Sequence, residues 1–176
     1  MSSPIRGEFR FKCSMCTEWH YGLPDLGFDA PYHYASLSDH ERKSIARKTD
    51  DLCAIEERDF FIRGVLELPI IGRDDRFGIG VWVSLKRENF ERYVELFDDP
   101  DRTNHGPYFG WLCNKISGYP DTLELKTMVH LRPTPERPAI MLEPSDHPLA
   151  IQQRDGIPIE DILALIEPTL HPRNEA

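Results

Sequence analysis

Residues 13–20 read Cys13-Ser14-Met15-Cys16-Thr17-Glu18-Trp19-His20. Two thiolates two residues apart can hold one tetrahedral zinc from a tight turn, and a histidine four residues on can swing its imidazole onto the same ion. A closed site needs a fourth donor. Cys53, in Asp50-Asp51-Leu52-Cys53-Ala54-Ile55 ahead of the first long strand, is the leading candidate, and His33 is the alternative. Four protein ligands make a structural site, because no coordination position is left for water. Three, from Cys13, Cys16 and His20, would leave an open position and give a metal-dependent hydrolase. The second closely spaced pair of a complete zinc ribbon is missing. A redox dithiol shares the Cys-x-x-Cys spacing but sits at the start of a helix, and Gly22-Leu23-Pro24 prevents a long helix here. The remaining reading is reduced cysteines beside a packed histidine. Cys113, in Trp111-Leu112-Cys113-Asn114, reads as a buried small hydrophobe.

Other ionisable groups carry less. His130 lies among Glu124, Lys126 and Arg132, and Asp146-His147-Pro148 supplies an acid and an imidazole. An enzyme would gather these with Arg63 and Glu67 over a sheet. No nucleophile motif or phosphate loop accompanies them, so a solvated sheet face is the better reading. Arg42, Lys43, Arg47 and Lys48 form the basic cluster of the chain and read as a solvated helix end, with docking of an anion as the alternative.

The elements that must position these groups follow from periodicity. Phe9-Arg10-Phe11-Lys12 alternates as a short strand leading into Cys13. Residues 22–31 are turn-rich. Ser38-Asp39-His40-Glu41 has capping-box spacing and predicts a helix start. Phe60, Ile62, Leu66 and Leu68 share one strand face, and Phe77, Ile79, Val81, Val83 and Leu85 another, with a loop between them that makes an antiparallel hairpin. Gly78 and Gly80 beside Trp82 mark a close approach, by packing or a bulge rather than a ligand. Ser84 is expected to cap a helix whose Phe90, Tyr93, Val94 and Phe97 form an apolar stripe. Leu123, Leu125, Val129 and Leu131, then Ala139 to Leu142, predict a second strand pair. Pro158 opens a last helix that buries Ile159, Ile162, Leu163 and Ile166 and stops at Pro168. The pattern is α+β: one domain over residues 1–176, mainly an antiparallel sheet with helices packed on one face. Residues 1–35 form a turn-rich metal-binding segment and residues 53–170 the sheet-and-helix core.

At 176 residues the chain can build one core without disulfides or metal, so a metal here needs a local explanation. With 21 Lys+Arg against 30 Asp+Glu its net charge is −9, which disfavours nucleic acid and anionic membranes while leaving room for one small basic patch. No apolar run reaches the ~18 residues of a membrane span, and the first residues lack a signal-peptide core, so a cytoplasmic location is expected. Four cysteines are then metal ligands, redox centres or core residues.

Cys13-x-x-Cys16-x-x-x-His20, Asp59-Phe60-Phe61-Ile62-Arg63-Gly64, Gly80-Val81-Trp82-Val83-Ser84-Leu85, Pro107-Tyr108-Phe109-Gly110-Trp111-Leu112, Gly118-Tyr119-Pro120-Asp121-Thr122-Leu123 and Asp146-His147-Pro148-Leu149-Ala150 occur in this order. Together they resemble the uncharacterised bacterial family DUF2199 over nearly the whole chain. The resemblance implies a cysteine ligand at Cys53 and, in most members, a glycine after the second cysteine, where this chain has Thr17. It implies no activity. The expected function is that of a structural zinc protein binding another protein or a small ligand; a hydrolase with an open zinc position is the alternative, and nucleic-acid binding through the zinc module is the weakest.

Overall fold

The computed structural model describes residues 9–171. The alternating apolar residues form two long strands, β6 (Asp59–Pro69) and β7 (Arg76–Leu85), paired antiparallel from Phe60 opposite Leu85 to Pro69 opposite Arg76. They are preceded by β1 (Arg10–Lys12), β2 (Trp19–Tyr21), β3 (Leu26–Gly27), α1 (Tyr32–Ala35), α2 (Asp39–Ile45), β4 (Ala46–Lys48) and β5 (Leu52–Ile55). They are followed by α3 (Arg87–Glu95), β8 (Tyr108–Leu112), β9 (Lys126–His130), β10 (Ala139–Leu142), α4 (Pro148–Asp155) and α5 (Ile159–Leu170).

The sheet is not simply an antiparallel layer covered on one face. β7, β8, β9 and β10 pair antiparallel in succession, and β10 returns to pair parallel with β6 at Ala139 opposite Val65, which closes a five-stranded barrel. Alternation with period two is the same in a flat sheet and a closed one, so it could not separate them. Closure depends on close approach at two glycines. A Cβ on Gly64 would stand 2.5 Å from Ile140 Cδ1, and one on Gly110 would stand 2.6 Å from the Ser84 carbonyl oxygen. Ile62, Leu66, Ile79, Val81, Val83, Leu112, Val129 and Ile140 fill the core. β8 passed unrecognised in the sequence because Gly110 interrupts its buried face.

β6 and β7 are long enough to serve two structures. Beyond the barrel, β6 pairs with β5 and β5 with β4, while β7 pairs parallel with β3. A second apolar cluster forms on this extension from Cys53, Ile55, Phe61, Trp82 and Cys113. α4, also missed in the sequence, seals the end of β10: the Gln153 side chain accepts from Leu142 N–H at 2.7 Å and donates to the Ile140 carbonyl at 2.9 Å. Gln153→Leu strands both buried backbone groups and is expected to cost about 2–3 kcal/mol in a denaturant titration. No loss of stability would show that β10 does not need this cover.

Several local expectations change. The capping box at Ser38 forms, with Glu41 N–H donating to the Ser38 hydroxyl and Ser38 N–H to the Glu41 carboxylate. Ser84 lies inside β7, and Lys86 occupies the N-cap of α3 with no side-chain cap. The stripe on α3 is incomplete, since Val94 is 42% exposed while Tyr93 is buried. Arg47 and Lys48 belong to β4, not to a helix end: Arg47 pairs with Glu57, and Lys48 lies over the rings of Tyr34 and Trp82. α5 runs through Pro168 to Leu170. In the last turn Pro168 forfeits only its own bond to the Ala164 carbonyl. Gly80 lies where β3 approaches, its would-be Cβ 3.4 Å from Gly27 Cα, which is packing as expected.

Candidate metal centre

β1 and β2 are the two arms of a ribbon, with Arg10 opposite Tyr21, Phe11 opposite His20 and Lys12 opposite Trp19. The turn between them carries Cys13 and Cys16. Its backbone is held by Cys13 N–H donating to the Glu18 carbonyl and Thr17 N–H to the Cys13 carbonyl. Met15 N–H donates to Cys13 Sγ at 3.4 Å, the bond by which a knuckle backbone supports a thiolate. His20 stacks on Phe11, with ring centroids 5.4 Å apart, which holds the imidazole over the turn.

The residue that joins Cys13, Cys16 and His20 is His171, just after α5. Cys13 Sγ and His171 Nε2 are 3.3 Å apart, as are Cys16 Sγ and His20 Nε2. The ligand atoms of Cys13, Cys16, His20 and His171 all lie within 4.8 Å of one another. In a tetrahedral zinc site with ordinary Zn–S and Zn–N lengths, a sulfur and a nitrogen stand roughly 3.6 Å apart, so the donor set and its spacing fit such an ion. Cys13 is buried and the other three are half-buried.

α5 is tied to the turn a second time. Ser14 donates to Glu167 through its N–H at 3.1 Å and through its hydroxyl to the other carboxylate oxygen. The Ser14 hydroxyl and N–H hold the Glu167 carboxyl below its ordinary range. A carboxylate one turn before His171 therefore orients the end of the helix toward the cysteines.

A family model described as "Uncharacterized protein conserved in bacteria (DUF2199)" matches residues 12–157. The chain belongs to this family. No curated protein and no solved structure matches it. The matched span of this DUF2199 chain contains Cys13, Cys16 and His20 and ends before His171.

Thr17, where the resemblance implied glycine, adopts φ +63°. A β-branched residue is strained there. Thr17→Gly is expected to relieve the turn by about 1 kcal/mol net of the extra glycine entropy, seen as a higher melting temperature. A fall in melting temperature would mean that the turn does not depend on this angle.

Cys53 does not join the cluster. It is 1% exposed on β5, among Ile55, Phe61, Trp82 and Cys113. Its place just ahead of the first long strand made it a candidate only because the sequence does not show the path of the chain from residue 20 to 53. His33, the alternative, is on α1 with its ring 5.3 Å from that of Phe61. Burial pushes the thiols of both Cys53 and Cys113 up to about 11. A raised thiol pKa means that the thiolate forms only as pH approaches about 11, so both are expected to resist alkylation in the native protein at pH 8, as read by mass spectrometry. Rapid native labelling of either would overturn that reading.

The other ionisable residues do not converge. His147 caps α4, its Nδ1 accepting from Leu149 N–H, and its Nε2 faces the carbonyls of Pro120 and Asp121. Glu67 pairs with Arg132 at 2.7 Å, and His130 is exposed on β9. His171 was missed because it follows a helix end and lies 158 residues from its partner Cys13. The available signal was a histidine one turn beyond a strongly apolar helix face. Among the described residues, no helix is long and apolar enough to cross a membrane.

Proposed function

We propose that this protein carries a structural zinc in a Cys13–Cys16–His20–His171 site, which fastens the β1–β2 ribbon to the end of α5, and that it acts in the cytoplasm by binding a protein or small ligand. The observation that supports this reading is the convergence of four protein donors within 4.8 Å. A full tetrahedron leaves no position for water, which favours a structural role over a hydrolytic one. The ion would supply cross-linking and no chemistry. The thiols and imidazoles would hold it, and Met15 N–H and Glu167 would keep Cys13 and the helix end in place.

The small-ligand part of the reading is supported by a cleft beside the second apolar cluster. A cleft of about 810 Å³ is lined by the rings of Phe60, Phe61, Phe109 and Trp111 and by the charged Arg58, Asp59, Lys86 and Glu124. That size and lining suit a small molecule. The test of the zinc reading is metal analysis of protein purified without added metal, together with X-ray absorption at the zinc edge. About one zinc per chain with two sulfur and two nitrogen neighbours is expected. A content far below one per chain overturns it, and a water in the fourth position would replace it with the hydrolase.

A further inference from the structure

The outer face of the ribbon gathers cations and exposed rings on an acidic surface. In the β1–β2 register, Arg10 stands opposite Tyr21 and Lys12 opposite Trp19, so two cations and two aromatic rings share one face while Phe11 is buried on the other. Trp19 is 52% and Tyr21 71% exposed. Arg10 lies over the Trp19 ring at 4.9 Å. Most arginines of the chain are matched by acids, among them Arg47, Arg58, Arg73, Arg92, Arg132 and Arg154. Arg10 and Lys12 have no ion-pair partner among the described residues. An acidic protein that leaves two cations without an acid beside two exposed rings, one of them carrying Arg10 on one face, presents a site for a polyanion with flat faces.

We propose that the β1–β2 face binds single-stranded nucleic acid, with bases stacking on Trp19 and Tyr21 and phosphates on Arg10 and Lys12. Successive outward residues of a strand repeat about every 6.8 Å, roughly twice the rise of one stacked nucleotide, so Trp19 and Tyr21 match alternate bases of a stacked strand, or adjacent bases of one drawn out along the ribbon. A duplex hides its base faces and offers the rings nothing to stack on. An acidic peptide would satisfy the cations but leave the rings in water, which is why the nucleic acid is favoured. The net charge of −9 does not forbid this contact, because charges more than about 8 Å away are screened at physiological ionic strength. The proposal rests on the zinc reading to the extent that the site holds the ribbon in place.

The test is fluorescence anisotropy with a labelled short oligothymidylate on the metal-loaded full-length protein, with Trp quenching read in parallel. Binding is expected on the order of 10–100 µM. Two phosphate contacts on a single strand predict about a sevenfold loss of affinity for a fourfold rise in salt. Trp19→Ala and Tyr21→Ala should each weaken binding about tenfold. Arg10→Gln with Lys12→Gln should abolish the salt dependence, and these exposed side chains lie outside the metal donors. The proposal fails if the oligonucleotide does not bind, if the duplex binds as tightly, or if polyglutamate competes as well as the oligonucleotide, which would mark a surface for acidic proteins. Metal content is measured on every sample. Full zinc without binding sinks this proposal alone, and missing zinc sinks the reading on which it rests.

Discussion

Cys16→Ser is expected to lower the melting temperature of the zinc-loaded protein by roughly 6–12 °C, corresponding to about 3 kcal/mol in a chain of this size. His171→Ala should give a shift of similar size, and the double variant little more, because removing either donor already opens the site and the two losses are not additive. A chelator should bring the wild type down to the level of the variants and leave the variants unmoved. Cys113→Ser is the contrast. Its sulfur already donates to the Trp111 carbonyl at 3.2 Å, a bond that a serine hydroxyl can take over, so about 1 kcal/mol is expected. The metal-free protein should still unfold cooperatively, since of the four clustered residues only Cys13 lies within the core and Cys16 packs at its margin. Equal melting shifts for Cys16→Ser and Cys113→Ser would remove the case for a metal.

Gly110→Val should be at least as damaging, by about 3 kcal/mol or more, because the new side chain meets the Ser84 carbonyl oxygen where β7 and β8 come together. A backbone oxygen cannot turn aside as a flexible side chain can, so the strands must part. Gly64→Val acts at the other closure, where Ile140 and the Pro138 carbonyl fill the space. Gly72→Ala separates steric from conformational cost: Gly72 has φ +81° but nothing within 4 Å of its would-be Cβ, so only about 1 kcal/mol is expected. Denaturant midpoints measure all three. If Gly110→Val costs no more than Gly72→Ala, the barrel is not closed by close approach at that seam.

Interactions between near neighbours in the chain were legible from the residues. The grouping of Cys13, Cys16 and His20, the Ser38 capping box and the β6–β7 hairpin each depend on a spacing of a few residues or a short loop, and each is present. Side-chain alternation found the barrel-facing residues of β6 and β7 because a strand presents every second residue to one side, but it passed over Phe61 and Trp82, which the second apolar cluster buries on the other face. The acidic balance also kept its meaning as a statement about long-range charge. It was silent about the four residues of the ribbon face, since composition averages over positions that only strand register brings together.

Only the tertiary structure decided the barrel, the fourth donor and the fate of Cys53. Period-two alternation does not encode whether a sheet meets its own edge, and the glycines that permit it are ordinary until Ile140 and Ser84 are placed against them. His171 reaches Cys13 across 158 residues because α5 packs Ile162 and Ile166 into the core and projects its end over the ribbon. Cys53 went the other way for the same kind of reason: the pairing of β5 with β6 turned its thiol into an apolar cluster. Chemistry set by spacing is local, whereas a ligand completed across the whole chain exists only once the core has chosen which ends to bring together.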